Sequence, residues 1–546
     1  MGSAYLLLLA LILFAVAYLF YGKFVANRLG LDPARPTPAH TMTDGVDYVP
    51  ARVPILFGHH FASIAGAAPI IGPITAAVFG WIPVYLWILF GSIFIGGVHD
   101  TSAIVASIRH QGKSIGEIIE EHVGESGKKL FLIFAWSTLI LVIAVFTIVV
   151  AKTFVSVPAS ATASVLFLLL ALLFGAAVYR YHIHVGLATL IGVTLLFISV
   201  YLGILFPIKL SNSVWIYILL GYIFVASVTP VWILLQPRDY LNSFLLYALI
   251  LGAVLGIFIG NPKIQLVTYT QFHTDLGYLF PILFVTVACG AISGFHSLVG
   301  SGTTAKQLDK EPDARIIGYG GMLTEGLLAV VSLTAAAVLL KSNYAAFLSK
   351  TGGGPIALFS TSVGNFMAAL GIPIHVGKTF AALAVSAFAL TSLDTATRLS
   401  RYAFQEFFEK EGVAKQSVLA TNRFIGTTVS VFFGGALALS GQWKAIWPIF
   451  GSANQLLAAL ALLAVSVWLA QLGTKNAFTR WPMYFMFLVT LTALVSLIIK
   501  NALGKNFLLM GMAIVLFLVA VVLALQAYNS MKKGRAGGLQ EAGGTK

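Results

Sequence analysis

Six titratable residues stand inside long apolar stretches of this sequence: His59, His60, His99, Asp100, His296 and Asp394. An ionisable group is costly in such surroundings, so each is a candidate functional residue. Histidine changes its charge near neutral pH, so the set could relay protons. Imidazole and carboxylate groups also bind zinc. The metal-site hypothesis involves His59, His60, His99 and Asp100. In a third, structural interpretation, Asp394 pairs with Arg398 one helical turn later.

Hydroxyl groups follow His296 at short spacing. They belong to Ser297, Ser301, Thr303 and Thr304. Hard cations prefer oxygen ligands, so these hydroxyls could coordinate Na⁺ together with carbonyl groups freed by an interrupted helix. Alternatively, each hydroxyl bonds back to its own helix. The candidate coupling ions are therefore H⁺ and Na⁺, and no further cofactor is predicted apart from the metal ion considered above. Glu325 also lies in an apolar stretch, but we predict no role for it.

Two apolar stretches contain residues that interrupt helices, Gly58–Pro73 and Phe224–Tyr240. In hydrocarbon, a broken helix survives only where it is buried in protein or lines a cavity. A pair of such breaks in two halves of a chain indicates the binding site of a transporter, where half-helix starts favour an anion. The predicted substrate-binding residues are Ser63, Ala65, Gly66 and Ala67 in the first stretch and Ser227, Val228, Thr229 and Pro230 in the second.

The composition places these stretches in a membrane. Hydrophobic residues make up 59% of the chain and charged residues 10%, against about 25% charged in globular proteins. The net charge of +14 falls mainly in short loops, which excludes nucleic-acid binding and favours a lipid bilayer as the partner. We predict an all-α polytopic membrane protein with no soluble domain. The single cysteine, Cys289, cannot form a disulfide within the chain.

Apolar runs of about 20 residues predict about fifteen transmembrane helices. With the N-terminus outside and the C-terminus inside, 24 of the 33 Lys and Arg residues fall on the inner side, and no Arg falls outside. This asymmetry supports both the orientation and the span count. The predicted location is the cytoplasmic membrane. The stretch Thr351–Ile374 is too broken to count as a span, so it is either re-entrant or on the surface.

The two breaks also suggest an internal repeat. Phe61–Ile64 resembles Val225–Val228, and a proline follows each. The predicted spans run in opposite directions, as in inverted-repeat transporters. We therefore predict a peripheral helix and loop in residues 1–54 and a transport core in 55–410, with repeats 55–206 and 213–410. Additional helices follow in 411–531, and a disordered cytoplasmic tail in 532–546.

Five motifs carry a family resemblance: Gly58-His59-His60-Phe61-Ala62-Ser63-Ile64-Ala65-Gly66, Gly97-Val98-His99-Asp100, Leu234-Leu235-Gln236-Pro237-Arg238-Asp239-Tyr240-Leu241-Asn242, Ser293-Gly294-Phe295-His296-Ser297 and Ser392-Leu393-Asp394-Thr395. Over about residues 1–475 the chain resembles the carbon starvation protein A family, as one of its shorter members. That family is similar to the LeuT-type inverted-repeat superfamily, and its members are linked to uptake of pyruvate and of peptides.

The resemblance implies a secondary transporter rather than an enzyme. The expected substrate is a small organic acid such as pyruvate, taken up by proton-coupled symport with alternating access. A short peptide is the alternative substrate. Two alternatives belong to other classes, a membrane-embedded metalloenzyme suggested by the His/Asp set and a channel.

Overall fold

The computed structural model describes residues 2–45, 48–230, 233–349, 352–409, 416–441 and 443–543. Several sequence predictions touch residues outside these ranges. They concern Val231 and Trp232 of the second interrupted stretch, Thr351, the boundary at 410 and 411, and the last residues of the tail, 544–546.

Helices account for nearly all of the described residues, as predicted. The first thirteen are α1 (Ser3–Val16), α2 (Gly22–Arg28), α3 (Pro38–Thr41), α4 (Val53–Ile64), α5 (Ala68–Ala76), α6 (Trp81–Phe90), α7 (Gly97–Arg109), α8 (Ile115–Val123), α9 (Glu125–Ser156), α10 (Pro158–Gly175), α11 (Val185–Leu205), α12 (Asn212–Val228) and α13 (Leu235–Gly260). After a hairpin of β1 (His273–Thr274) and β2 (Gly277–Tyr278) come α14 (Leu279–Val287), α15 (Gly294–Gly302), α16 (Gly321–Ala337), α17 (Lys341–Leu348), α18 (Gly354–Ala368), α19 (Ile374–Phe408), α20 (Val418–Thr421), α21 (Arg423–Leu439), α22 (Trp443–Gln471), α23 (Ala477–Leu503) and α24 (Phe507–Gly543).

Twelve helical segments in the described part of the chain are long and apolar enough to cross a membrane. The bent pair α4–α5 makes a thirteenth span if it is counted as one. Shorter apolar helices, α12 and α21, coincide with two further predicted spans. The polytopic all-α fold is therefore confirmed, whereas the count of fifteen stays a prediction.

The helices pack in a pattern that pairs elements far apart in sequence. The long helix α9 packs against α19, and α12 packs against α21. In the same way, α13 packs on α4 and α22 packs on α15. The bent pair α4–α5 lies against α14–α15, with α5 beside α14 and α4 beside α15, so the two pairs run antiparallel. This pairing favours halves that begin at α4 and at α14, with α10–α11 as an extra hairpin in the first half.

Repeats 55–206 and 213–410 each contain one of the two antiparallel pairs, although the second pair begins only at Leu279, well after the predicted start of the second repeat. The boundary between the repeats stays a prediction. The stretch Thr351–Ile374 contains a regular helix, α18, which packs against α19, and its residues Leu358 and Phe359 are buried. The final helix continues to Gly543, past the predicted start of a disordered tail at 532, since a helix can satisfy its own backbone beyond its last apolar turn. The other domain boundaries stay predictions.

The contact between α5 and α14 can be tested at Gly72. A Cβ atom at Gly72 would lie 2.4 Å from the carbonyl oxygen of Val287, and a backbone atom cannot move aside. We expect Gly72→Val to destabilise the fold by about 1–3 kcal/mol or more, as overpacking does. The measurement is the apparent melting temperature of the purified protein, followed by fluorescence-detected size-exclusion chromatography.

The matched control is Gly221→Val in α12, where no atom lies within 4 Å of the added Cβ. Its melting temperature should stay close to that of the parent protein. Equal melting temperatures for both variants would contradict the close packing of α5 on α14.

Candidate functional site

The first helix break separates α4 from α5, whose axes differ by 47°. Pro69 stands in the first turn of α5, where its missing N–H group is tolerated. Ser392 of α19 donates a hydrogen bond to the carbonyl oxygen of Ser63 (3.3 Å), so a side chain satisfies an acceptor at the break. A Cβ at Gly66 would lie 2.6 Å from Ser392 Oγ, which explains the glycine. The buried residues at this break include Ser63, Ala65, Gly66 and Ala67.

A second break lies between α14 and α15, in a span that sequence analysis treated as continuous. The backbone of residues 288–293 leaves the helical path, and Ala288 has a φ of +46°. This break adjoins the first one, because Gly72 abuts the Val287 carbonyl group and a Cβ at Gly290 would lie 3.6 Å from Pro73 Cγ. The two breaks therefore meet at one junction, between α4–α5 and α14–α15.

Asn454 of α22 provides hydrogen-bond partners for the start of α15. Its Oδ1 atom accepts a hydrogen bond from the Phe295 N–H group at 2.9 Å, and its Nδ2 atom donates to Ser293 Oγ at 3.0 Å. Asn454 is fully buried, so these contacts replace the water that a helix end would otherwise bind. No sequence motif had marked Asn454.

The stretch Phe224–Tyr240 is not a break inside one span, so that prediction is wrong. It joins α12, with 17 residues, to α13, which is long enough to cross the membrane alone. Arg398 Nη2 donates hydrogen bonds to the carbonyl oxygens of Ala226 (2.7 Å) and Thr229, so a cation caps the end of α12. Ser227 Oγ lies 3.1 Å from Thr427 Oγ1 of α21. A substrate-binding role for Ser227, Val228, Thr229 and Pro230 stays a prediction.

Four buried titratable groups form a continuous chain beside the junction. His99 Nδ1 lies 2.7 Å from Asp100 Oδ1, and both residues are on α7. Asp100 Oδ2 lies 2.8 Å from His296 Nδ1 on α15. His296 Nε2 lies 3.1 Å from Glu325 Oε2 on α16, although the alignment falls short of a hydrogen bond. Each residue is at most 1% exposed.

These four side chains can together hold or pass a proton. Two carboxylates flank one imidazole, and in a low-dielectric interior a charge on any member needs compensation from its neighbours. Sequence analysis named His99, Asp100 and His296, and the structure brings them together. It gave no role to Glu325, although a carboxylate in an apolar run is itself the signal that would have identified it.

The remaining predicted histidines have other partners. His60 Nδ1 lies 2.8 Å from Thr304 Oγ1, which links α4 to the end of α15. His59 Nδ1 lies 3.7 Å from Asp239 Oδ2 on α13. Within the described ranges, two groups of three ligand atoms lie close enough for one metal ion, Cys289 with His296 and Glu325, and His110 with Glu121 and His122. The predicted metal ligands His59, His60, His99 and Asp100 are in neither group.

Asp394 belongs to a separate network centred on Arg238. The Arg238 guanidinium group donates hydrogen bonds to Asp239 (2.8 Å), to Asp394 and to the Tyr222 hydroxyl group (2.6 Å). Tyr222 in turn donates to Asp394 at 2.5 Å. The expected pair of Asp394 with Arg398 is therefore wrong, because Arg398 caps α12. Sequence analysis missed the roles of Arg238 and Tyr222, although Arg238 lies within one of the family motifs.

The hydroxyl groups considered for Na⁺ bond mainly to their own helix. Ser297 donates to Gly294, Ser301 to Ser297 and Thr303 to Val299, at 2.7–2.9 Å. Thr304 contacts His60 instead. Three of the four hydroxyl groups thus bond back to their own helix, as the alternative interpretation expected. The use of these hydroxyl groups as Na⁺ ligands stays a prediction.

A cavity of about 430 Å³ opens beside α8, α9 and α19 and reaches the end of α15. Its lining carries both signs of charge. The basic residues are Lys113, Lys306 and Arg398, and the acidic ones are Glu117, Glu406 and Glu409. Ser301 and Thr303 at the end of α15 also belong to the lining. The cavity therefore provides a polar approach from one face of the protein towards α15.

Comparisons with known proteins identify similar proteins that are named as membrane transporters. The sequence matches the family described as carbon starvation protein CstA over residues 2–353 and 345–493. It is 32% identical to the pyruvate/proton symporter BtsT of Escherichia coli over 551 residues, which cover 84% of this chain and 76% of that protein. It is also 32% identical to the peptide transporter CstA of Campylobacter jejuni, over 90% of this chain and 79% of that protein.

Among solved structures, the manganese transporter of Eremococcus coleocola resembles this chain with a TM-score of 0.53 and 12% sequence identity. The match covers 90% of this chain and 99% of the transporter. At this identity the similarity concerns the fold alone. It confirms the LeuT-type fold with broken helices that the family resemblance implied.

The Arg238 network makes a prediction about stability. Arg238→Met leaves Asp239 and Asp394 buried without their shared cation, and breaking a buried pair in this way costs about 3–5 kcal/mol. Asp394→Asn leaves Arg238 paired with Asp239, so we expect a smaller loss. The apparent melting temperature should fall in the order parent, Asp394→Asn, Arg238→Met, while replacement of the exposed Arg52 by Met should have little effect. The reverse order for the two network variants would contradict the shared role of Arg238.

Proposed function

This chain belongs to the carbon starvation protein CstA family, and from that membership we propose that it is a proton-coupled symporter for a small organic acid such as pyruvate. It works by alternating access in the cytoplasmic membrane, with its N-terminus outside and its C-terminus inside. The distribution of Lys and Arg supports this orientation. The relatives are named as transporters, which supports a transporter over a metalloenzyme or a channel.

The observation that carries the proposal is the chain from Asp100 through His296 to Glu325. His296 stands on α15, the half-helix that follows the second break, and the two carboxylates stand on the neighbouring helices α7 and α16. Movement of α15 would change the distances from His296 to both carboxylates at once. The affinity of these three side chains for a proton then depends on the position of α15. Coupling of proton transfer to alternating access requires such a dependence.

We place the substrate at the junction of the two breaks. α5 and α15 both begin beside this region, and the positive end of a helix dipole favours a carboxylate. Ser63, Ala65, Gly66 and Ala67 are our candidates for the lining on the first break. Residues 288–293 replace Ser227–Pro230 as the opposite wall of the site.

A short peptide is the second candidate substrate. A zwitterionic peptide needs a larger space with both a cationic and an anionic anchor, whereas pyruvate needs an anion site only. The cavity of about 430 Å³ with Lys306, Arg398 and Glu406 in its lining favours this alternative. Na⁺ in place of H⁺ is the remaining alternative for the coupling ion, through the hydroxyl groups after His296.

The test is uptake into proteoliposomes that contain the purified protein. We expect labelled pyruvate to accumulate when the outside is made acidic and not when only a Na⁺ gradient is imposed. His296→Gln should abolish accumulation driven by the pH gradient, because glutamine cannot carry the proton. Exchange of labelled for unlabelled pyruvate at equal pH should remain, since it needs no net proton transfer.

The matched control is His40→Gln, which alters a surface histidine that pairs with Asp309. It should preserve both uptake and exchange. Accumulation driven by Na⁺ alone would contradict proton coupling, and strong competition by dipeptides but not by other monocarboxylates would favour the peptide substrate.

A further inference from the structure

Two histidines meet outside the membrane-spanning segments, at the end of α7. His110 directly follows α7, and His122 lies near the end of α8. Their Nε2 atoms are 3.0 Å apart. Glu121 Oε1 lies 3.9 Å from His110 Nε2, and the three ligand atoms all lie within 4.8 Å of one another. The proposed transport function makes no use of this cluster, which the distribution of Lys and Arg assigns to the cytoplasmic face.

The ring of His110 is oriented as in a metal site. Its Nδ1 atom lies 2.6 Å from the carbonyl oxygen of Ala106. Because a carbonyl oxygen can only accept a hydrogen bond, Nδ1 carries the proton, and the neutral ring then has its lone pair on Nε2. Metal-binding histidines characteristically donate their other N–H group to a carbonyl or carboxylate in this way. The Trp468 ring, 5.5 Å from that of His110, packs beside it.

The exposure of the cluster differs from one side to the other. His110 is only 7% exposed, whereas the Glu121 side chain is 52% exposed. The cluster is thus closed on the side of α7 and open towards water on the side of Glu121, where an ion can enter.

We propose that His110, Glu121 and His122 form a binding site for a divalent transition-metal ion, with Zn²⁺ as the best-matched ion. Two imidazole nitrogens, one carboxylate oxygen and a water molecule complete a tetrahedral shell. Tetrahedral ligands with bonds of about 2.0–2.1 Å stand about 3.3 Å apart. The two Nε2 atoms already meet this spacing closely, and Glu121 reaches it by rotation of its exposed side chain. The ion would fasten the end of α7 to α8, the helix that leads into α9.

The experiment measures zinc bound to the full-length protein, purified through a tag without histidines. The protein is first treated with a chelator, then incubated with ZnCl₂ and passed through a desalting column. We expect about one equivalent of zinc per chain by mass spectrometry, and a rise in melting temperature with added Zn²⁺. Both should be lost in His122→Gln and should weaken at acidic pH, because the imidazoles must be deprotonated.

Two further variants separate a metal site from a structural contact. His122→Cys keeps a zinc ligand at this position, so it should retain the metal that His122→Gln loses. His40→Gln removes a histidine that faces a carboxylate at 2.8 Å, and it should bind zinc like the parent protein. The proposal is overturned if the parent protein retains no zinc, if His122→Gln retains as much as the parent, or if His40→Gln loses zinc equally.

Discussion

The central constraint on this protein is that a helix interrupted within a membrane must find partners for its free backbone groups inside the protein. Ser392 supplies a donor at the first break, and Asn454 supplies an acceptor and a donor at the second. Both side chains come from the long helices α19 and α22, which pack beside the breaks. The irregular backbone is therefore held by the surrounding helices, and the two breaks can lie against each other without water at every polar atom.

Two networks of buried charged groups in the described helices differ in their chemistry. Arg238 keeps its charge at any pH that a cell experiences, so Asp239 and Asp394 remain tied to a fixed cation. This network links α12, α13 and α19 and suits a permanent framework. The chain around His296 contains only groups that can gain or lose a proton. It links α7, α15 and α16, and its total charge can change as a proton binds or leaves, which suits a moving part.

The fold class and the first break could be predicted from the sequence because their signals are local. Apolar runs of sufficient length predict membrane helices, and Gly66 with Pro69 interrupts one of them. The second break could not be recognised in this way, since residues 288–293 contain one glycine and no proline. The prolines at 230 and 237 gave a stronger signal, but they mark the connection between two helices. The extra hairpin α10–α11 also shifted the alignment of the two halves, so that the stretch Phe224–Tyr240 was taken as the counterpart of the first break in place of residues 288–293. Arg398 and Asp394 illustrate the same limit, because their spacing allowed a local pair while distant helices supplied both actual partners.

The position of His296 on α15 connects the second break with the buried groups Asp100 and Glu325. A histidine on an uninterrupted helix would move only with the whole helix, including the part that packs on α5. In the proposed mechanism, the break would let α15 tilt independently of α14, with Asp100 on one side and Glu325 on the other. At 2.8 Å and 3.1 Å, these contacts are short enough that a shift of about 1 Å would break a hydrogen bond or an ion contact. In the proposed mechanism, the cost of separating charged groups in a buried site would oppose movement of α15 in one protonation state and not in the other. The break proposed to border the substrate would then also let proton binding control when α15 moves.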